Sequence, residues 1–137
     1  MLEKACDIAY PLARTDRTSF GIADLAAEFG ITPRALRFYE DQGLIAPRRD
    51  NGHRIYSPRD RARLAWLLRG KSVGFSLSDI REILDLYDVD DDRRTQRAAA
   101  IIRCRQRAEQ LRAGLAEMKM MIEKLSRFAD SLEKNEL

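Results

Sequence analysis

The stretch "TPRALRFYEDQGL" (residues 32–44) decides how this chain is read. Thr32 ahead of Pro33 marks a helix start, because the threonine side chain can accept a free first-turn N–H and proline at N1 has no N–H to leave unpaired. Gly43 supplies a C-terminal stop near Gln42. Between these signals lie Arg34, Arg37, Phe38 and Tyr39. An ordinary surface helix gains little from two arginines and two aromatic rings spaced so closely. A helix that lies against a polyanion gains charge and hydrogen-bond donors.

Upstream, Ile22, Leu25, Ala26 and Phe29 fall at i, i+3, i+4 and i+7, one face of a short helix ending at Gly30. Two short helices around a glycine-containing turn make a helix-turn-helix. Residues 1–19 carry Pro11 and no sustained period, which reads as a mostly loose arm. Downstream, "LIAPRRDNGHRIYS" (44–57) changes character. Pro47 breaks any helix, Asn51-Gly52 is a tight-turn signal, and Arg54-Ile55-Tyr56 alternates like a strand. A β-hairpin wing is expected there.

Ser57-Pro58-Arg59-Asp60 has the spacing of a capping box, with proline at N1 of a third helix that runs to near Gly74. Leu64, Leu67 and Leu68 give it an apolar face. Ser76 to Asp79 repeat the capping signal, and Leu77, Ile80, Ile83, Leu84 and Tyr87 stripe a fourth helix. After the charged break "DVDDDRR" (88–94) comes the clearest period in the chain. Ile101, Cys104, Ala108, Leu111, Leu115, Met118, Ile122, Leu125, Ala129 and Leu132 alternate steps of three and four without a slip. That is a heptad seam. A helix of about 40 residues is about 60 Å long, more than a small domain can cover, so its natural partner is the same helix of a second copy.

The class is bounded by composition as well. The 137 residues are 45% hydrophobic and 34% charged, enough for one core and a solvated surface. No apolar run approaches the roughly 20 residues of a membrane span, and "MLEKACDIAY" is too charged for a signal peptide. The two cysteines, Cys6 and Cys104, form no disulfide framework, as expected in a reducing cytoplasm. Net charge is +3, but residues 34–71 hold ten Lys/Arg against four Asp/Glu, a net +6. The positive field is focused on the stretch that begins with the helix-turn-helix.

Catalysis is not expected. The single histidine, His53, falls at the tip of the wing, a poor place to exclude water for a triad. No βαβ pattern supports a phosphate loop, and Glu40-Asp41 reads as a solvated helix edge. No metal or cofactor is expected either: Cys104 sits on the seam, where cysteine is usually a small hydrophobe, and Cys6 has no partner in the arm. Duplex DNA binding has the convergent signals. In a winged helix-turn-helix the second helix enters the major groove, and its N-terminal turn, here Thr32, Pro33 and Arg34, reaches base edges. Arg34 suits guanine bidentately. Arg37 and Tyr39, with His53, Arg54 and Tyr56 of the wing, are expected at phosphates. For Leu36 and Phe38 a core position stands open beside the outward one.

Residues 22–84, "IADLAAEFGITPRALRFYEDQGLIAPRRDNGHRIYSPRDRARLAWLLRGKSVGFSLSDIREIL", closely resemble the MerR family of bacterial transcription regulators, with "LRFYEDQGL", "RIYS" and "VGFSLSDI" distinctive in combination. The resemblance implies a mainly α fold: a winged helix-turn-helix domain over 20–87, then a long antiparallel coiled-coil dimerisation helix over 94–133. It implies a homodimer on a pseudo-palindromic promoter site, distorting spacer DNA so that RNA polymerase meets both of its elements. It also assigns Lys71, from "GKSVGF", to a phosphate. Metal-sensing members carry cysteines near the start and after the end of the long helix; here "DVDDDRRTQR" and "SLEKNEL" hold none. "RIYSPRDRARL" and "LLRGKSVGFSLSDIREILDLYD" look most like a short-tailed subgroup tied to branched-chain amino-acid and acyl-CoA catabolism. The rival readings are a metal- or redox-responsive sensor using Cys104 and a coiled-coil protein binding nucleic acid without sequence preference.

Overall fold

The computed structural model describes residues 15–86 and 94–136. Cys6, Tyr87 and most of the charged break therefore lie outside the described residues. Helix α1 (Ile22–Phe29) begins where the Gly21 N–H donates to the Asp24 carboxylate at 2.8 Å. It ends at Gly30, whose φ of 65° lets its N–H turn back onto the Ala26 carbonyl. A side chain there would be strained in this left-handed region. Helix α2 (Pro33–Asp41) starts with the Thr32 hydroxyl accepting the Ala35 N–H at 3.1 Å. Leu25, Ala26 and Phe29 of α1 and Leu36 and Tyr39 of α2 are buried.

The hairpin is present and carries one strand more than the alternation suggested. Strand β1 is Phe20–Gly21, β2 is Arg48–Asp50 and β3 is His53–Tyr56. They form an antiparallel sheet in the order β1-β3-β2, with Phe20 opposite Tyr56 and Asp50 opposite His53. Asn51 and Gly52 make the two-residue turn at φ 50° and 81°. Positive φ at both central residues is what a type I′ hairpin requires. The two-residue β1 anchors the wing to the start of α1.

Helix α3 (Pro58–Ser72) opens with the capping box anticipated from its sequence. The Asp60 N–H donates to the Ser57 hydroxyl at 3.1 Å, and the Asp60 carboxylate accepts the Ser57 N–H at 3.0 Å. Asp60 is almost fully buried and also accepts the Ala46 N–H at 3.1 Å, tying the helix start to the chain entering the wing. Helix α4 (Leu77–Asp85) is capped by Ser76, whose hydroxyl accepts the Asp79 N–H. Gly70 permits close packing of α3 on α4, since a Cβ there would lie 3.0 Å from Ile80. The core gathers Leu25, Leu36, Leu44, Ile45, Leu64, Leu67 and Leu84, all nearly inaccessible, around Tyr39 and Tyr56.

Helix α5 runs from Arg94 to Glu133. The chain divides into two compact units, one through Gln96 and the other from Arg97. In the first, Gln96 is fully buried and its side-chain N–H donates to the Ile83 carbonyl at 3.0 Å. In the second, Ile101, Leu111, Leu115, Met118, Ile122, Leu125 and Leu132 are each 48–66% exposed in the single chain. Cys104 and Ala129 are exposed and Ala108 is half-buried. Among the described residues no helix is long and apolar enough to cross a membrane.

Candidate nucleic-acid interface

At 100° per residue, Leu36 and Tyr39 share the inner face of α2. Thr32, Pro33, Arg34, Arg37, Phe38 and Asp41 are exposed. Arg34 and Arg37, three apart, lie on one outward face, as a groove-reading helix needs. Tyr39 corrects the sequence reading: it is 2% exposed, a core ring rather than a free phosphate donor. Its phase follows from Leu36, one turn earlier. Phe38, for which a core and an outward position were both open, is the exposed ring at 46%, its centroid 5.8 Å from that of Tyr39.

On the wing, Arg48, Arg49 and His53 are exposed around the turn. Arg54 and Tyr56, two residues apart on β3, point to the same side of the sheet. Tyr56 is fully buried and its hydroxyl has no hydrogen-bond partner among the described residues, so it offers nothing to a phosphate. Burial, with a smaller contribution from Glu40, pushes its phenol above the usual range. Arg54 is also not the free donor the sequence suggested. Its Nε donates to the Glu40 carboxylate at 2.6 Å, with both side chains about four-fifths buried. That bond holds the Arg54 guanidinium more firmly protonated than usual. Arg49 reaches the other Glu40 oxygen at 3.4 Å. Glu40 is therefore no solvated edge, and Arg48, Arg49, Phe38 and Glu40 join the candidate site as residues to which the sequence reading gave no binding role. The net +6 of residues 34–71 was the signal available for the two arginines.

Lys71, exposed at the end of α3, donates to the Tyr39 hydroxyl at 3.0 Å and stands 5.5 Å from the centre of its ring. The recognition helix is steadied from behind by arginines. Arg63, buried, donates to the Leu44 carbonyl at 2.9 Å and to the Leu84 carbonyl at 2.8 Å. Arg81 donates to the Gln42 carbonyl at the end of α2. Arg61 holds Glu28 of α1 through Nε at 2.8 and 3.0 Å. Among the described residues no three His, Cys, Asp or Glu side chains converge to hold a metal ion.

This arrangement defines a winged helix-turn-helix regulator. The pattern of the MerR HTH family regulatory proteins matches residues 20–87, and that of the MerR DNA-binding region matches 61–128. The HTH-type transcriptional regulator CueR of Salmonella typhi is 31% identical over 112 residues, covering 80% of this chain and 79% of its own. ZntR of Escherichia coli K12 is 30% identical over 114 residues, 82% of this chain and 79% of its own. Among solved structures, the N-terminal part of the Bacillus subtilis multidrug transporter activator, MtaN, superposes with a TM-score of 0.62 at 29% identity, over 79% of this chain and 95% of its own. HiNmlR, a MerR family regulator lacking the sensor domain and bound to promoter DNA, gives 0.54 at 27% identity, over 77% and 79%. The chain belongs to the MerR family of helix-turn-helix transcriptional regulators and is not an enzyme.

Proposed function

We propose that the chain acts as a homodimer that binds a pseudo-palindromic promoter site and distorts its spacer to regulate transcription by RNA polymerase. The observation that carries the reading is the shared outward face of Arg34 and Arg37, flanked by exposed Arg48 and His53. Phosphate contacts position such a protein, whereas base contacts from the start of the helix specify the site. HiNmlR, solved on promoter DNA, supports duplex DNA as the ligand. The long apolar seam of α5, half exposed in one chain, supports self-association, because such a stripe left in water is unfavourable. An ordinary cytoplasmic regulator fits this description. The wording of residues 54–64 and 67–88 further supports the short-tailed subgroup linked to branched-chain amino-acid and acyl-CoA catabolism.

Selection of bound sequences from a random duplex pool tests the reading. Enrichment of an inverted repeat bound by two chains is the expected result, and recovery of a random pool would refute it. Genes for acyl-CoA metabolism beside this one support the subgroup, and a metal exporter there opposes it.

A further inference from the structure

Glu40 stands at the C-terminal end of α2, where the helix dipole makes a carboxylate unfavourable. Its position is explained instead by what it holds. One oxygen accepts from Arg54 Nε at 2.6 Å and the other from Arg49 at 3.4 Å. The two arginines come from neighbouring strands of the wing, where Arg49 faces Arg54 in the ladder. A guanidinium fork fits a carboxylate and a phosphate alike, so Glu40 gives the two arginines, inside the protein, the kind of anionic partner that a backbone phosphate would be. We propose that Glu40 is a positioning residue for specificity, withholding Arg54 and Arg49 from indiscriminate phosphate contact while orienting the wing to the recognition helix.

The consequence follows from how non-specific binding works. Its strength is set by the number of phosphates neutralised, each releasing counterions. An arginine already matched by an internal carboxylate adds little to that count, because it exchanges one anionic partner for another. Arg34 and Arg37, on the outward face of the same helix, are not among the partners of Glu40, so base reading is left intact. Glu40 thus lowers the non-specific background without touching the contacts that discriminate sequences.

The inference rests on the DNA-binding reading above. The test uses the full chain as wild type, Glu40→Gln, Asp41→Asn and the double variant Glu40→Gln/Arg54→Ala. Each is titrated by fluorescence anisotropy with a labelled random-sequence duplex between about 50 and 200 mM salt. Glu40→Gln is expected to bind more tightly, with a log–log salt slope steeper by about 0.9 for each freed arginine. Its advantage over wild type then shrinks about threefold per freed arginine across that salt range. Asp41→Asn, removing an exposed carboxylate one residue on, should leave the slope unchanged, and the double variant should fall back toward wild type. Wild-type binding with an unchanged Glu40→Gln slope would overturn this proposal alone, whether affinity falls or not. So would equal steepening in Asp41→Asn, or a double variant as steep as Glu40→Gln. Absence of wild-type binding to any duplex, with the fold intact, overturns the DNA-binding reading and this proposal with it.

Discussion

The Nζ of Lys71 lies 3.0 Å from the hydroxyl of Tyr39 and 5.5 Å from the centre of its ring. The buried tyrosine of the recognition helix thereby fixes the exposed ammonium that closes α3, turning a flexible lysine into an oriented cation. Lys71→Ala is expected to weaken operator and scrambled duplexes equally and to make the salt slope shallower by about 0.9 per half-site. Tyr39→Phe keeps the core ring but removes the acceptor, so its loss of affinity should be smaller than that of Lys71→Ala. Anisotropy titrations of both duplexes at two salt concentrations measure this.

Arg34 is exposed in the first turn of α2, and we propose that it reads a base. Arg34→Ala should cost about 1–3 kcal/mol per half-site at the contacted base pair and flatten discrimination there. Equal weakening of a selected operator and a scrambled duplex would instead make Arg34 a phosphate clamp.

Arg63 bridges two backbone carbonyls from the core, Leu44 after the recognition helix and Leu84 at the end of α4. Arg63→Met removes both donors and leaves two carbonyls in a buried setting. Its unfolding free energy in urea should fall by about 2–4 kcal/mol. Arg63→Lys should recover little of this, because a compact ammonium lacks the planar fork that reaches both carbonyls.

The exposed seam of α5 predicts a dimer. Leu115→Asp places a charge in the middle of that seam and should cost about 3–5 kcal/mol of association. Sedimentation at micromolar concentration reads the result directly, and a monomeric wild type would contradict it. Cys104→Ser should leave duplex binding nearly unchanged, as fits a small seam side chain; loss of a metal-dependent response in that variant would favour the sensor reading.

The N-terminus of α1 carries a pH dependence. The Gly21 N–H, and then Arg17, hold the Asp24 carboxyl below its ordinary pKa. A depressed acid stabilises the fold above its unfolded pKa and loses that contribution as pH falls through the folded value. Asp24→Ala should therefore lower the thermal midpoint at neutral pH. The gap to wild type should close as the solution is acidified through and below the carboxylate range, which a series of melting curves can follow.

Capping and turn chemistry act over three or four residues, and so the helix starts at Thr32, Ser57 and Ser76, the Asn51-Gly52 turn and the span of α5 were legible in the residues alone. The heptad seam was legible for the same reason, as a local period. Tyr39 as a core ring was within reach too, since it follows Leu36 by one turn. What depended on tertiary structure was which polar groups remain free. Glu40 meets Arg54 across 14 residues, Arg63 reaches Leu44 across 19 and Leu84 across 21, and Lys71 finds Tyr39 across 32. Strand β1, two residues long, has no period to read and exists because β3 offers it an edge. A side chain's donors are spent on whatever the fold brings within about 3 Å, and chain separation carries no record of that. Local sequence thus determined where the capped helices and the wing turn begin, while packing added strand β1 and decided which polar side chains are paired inside the protein.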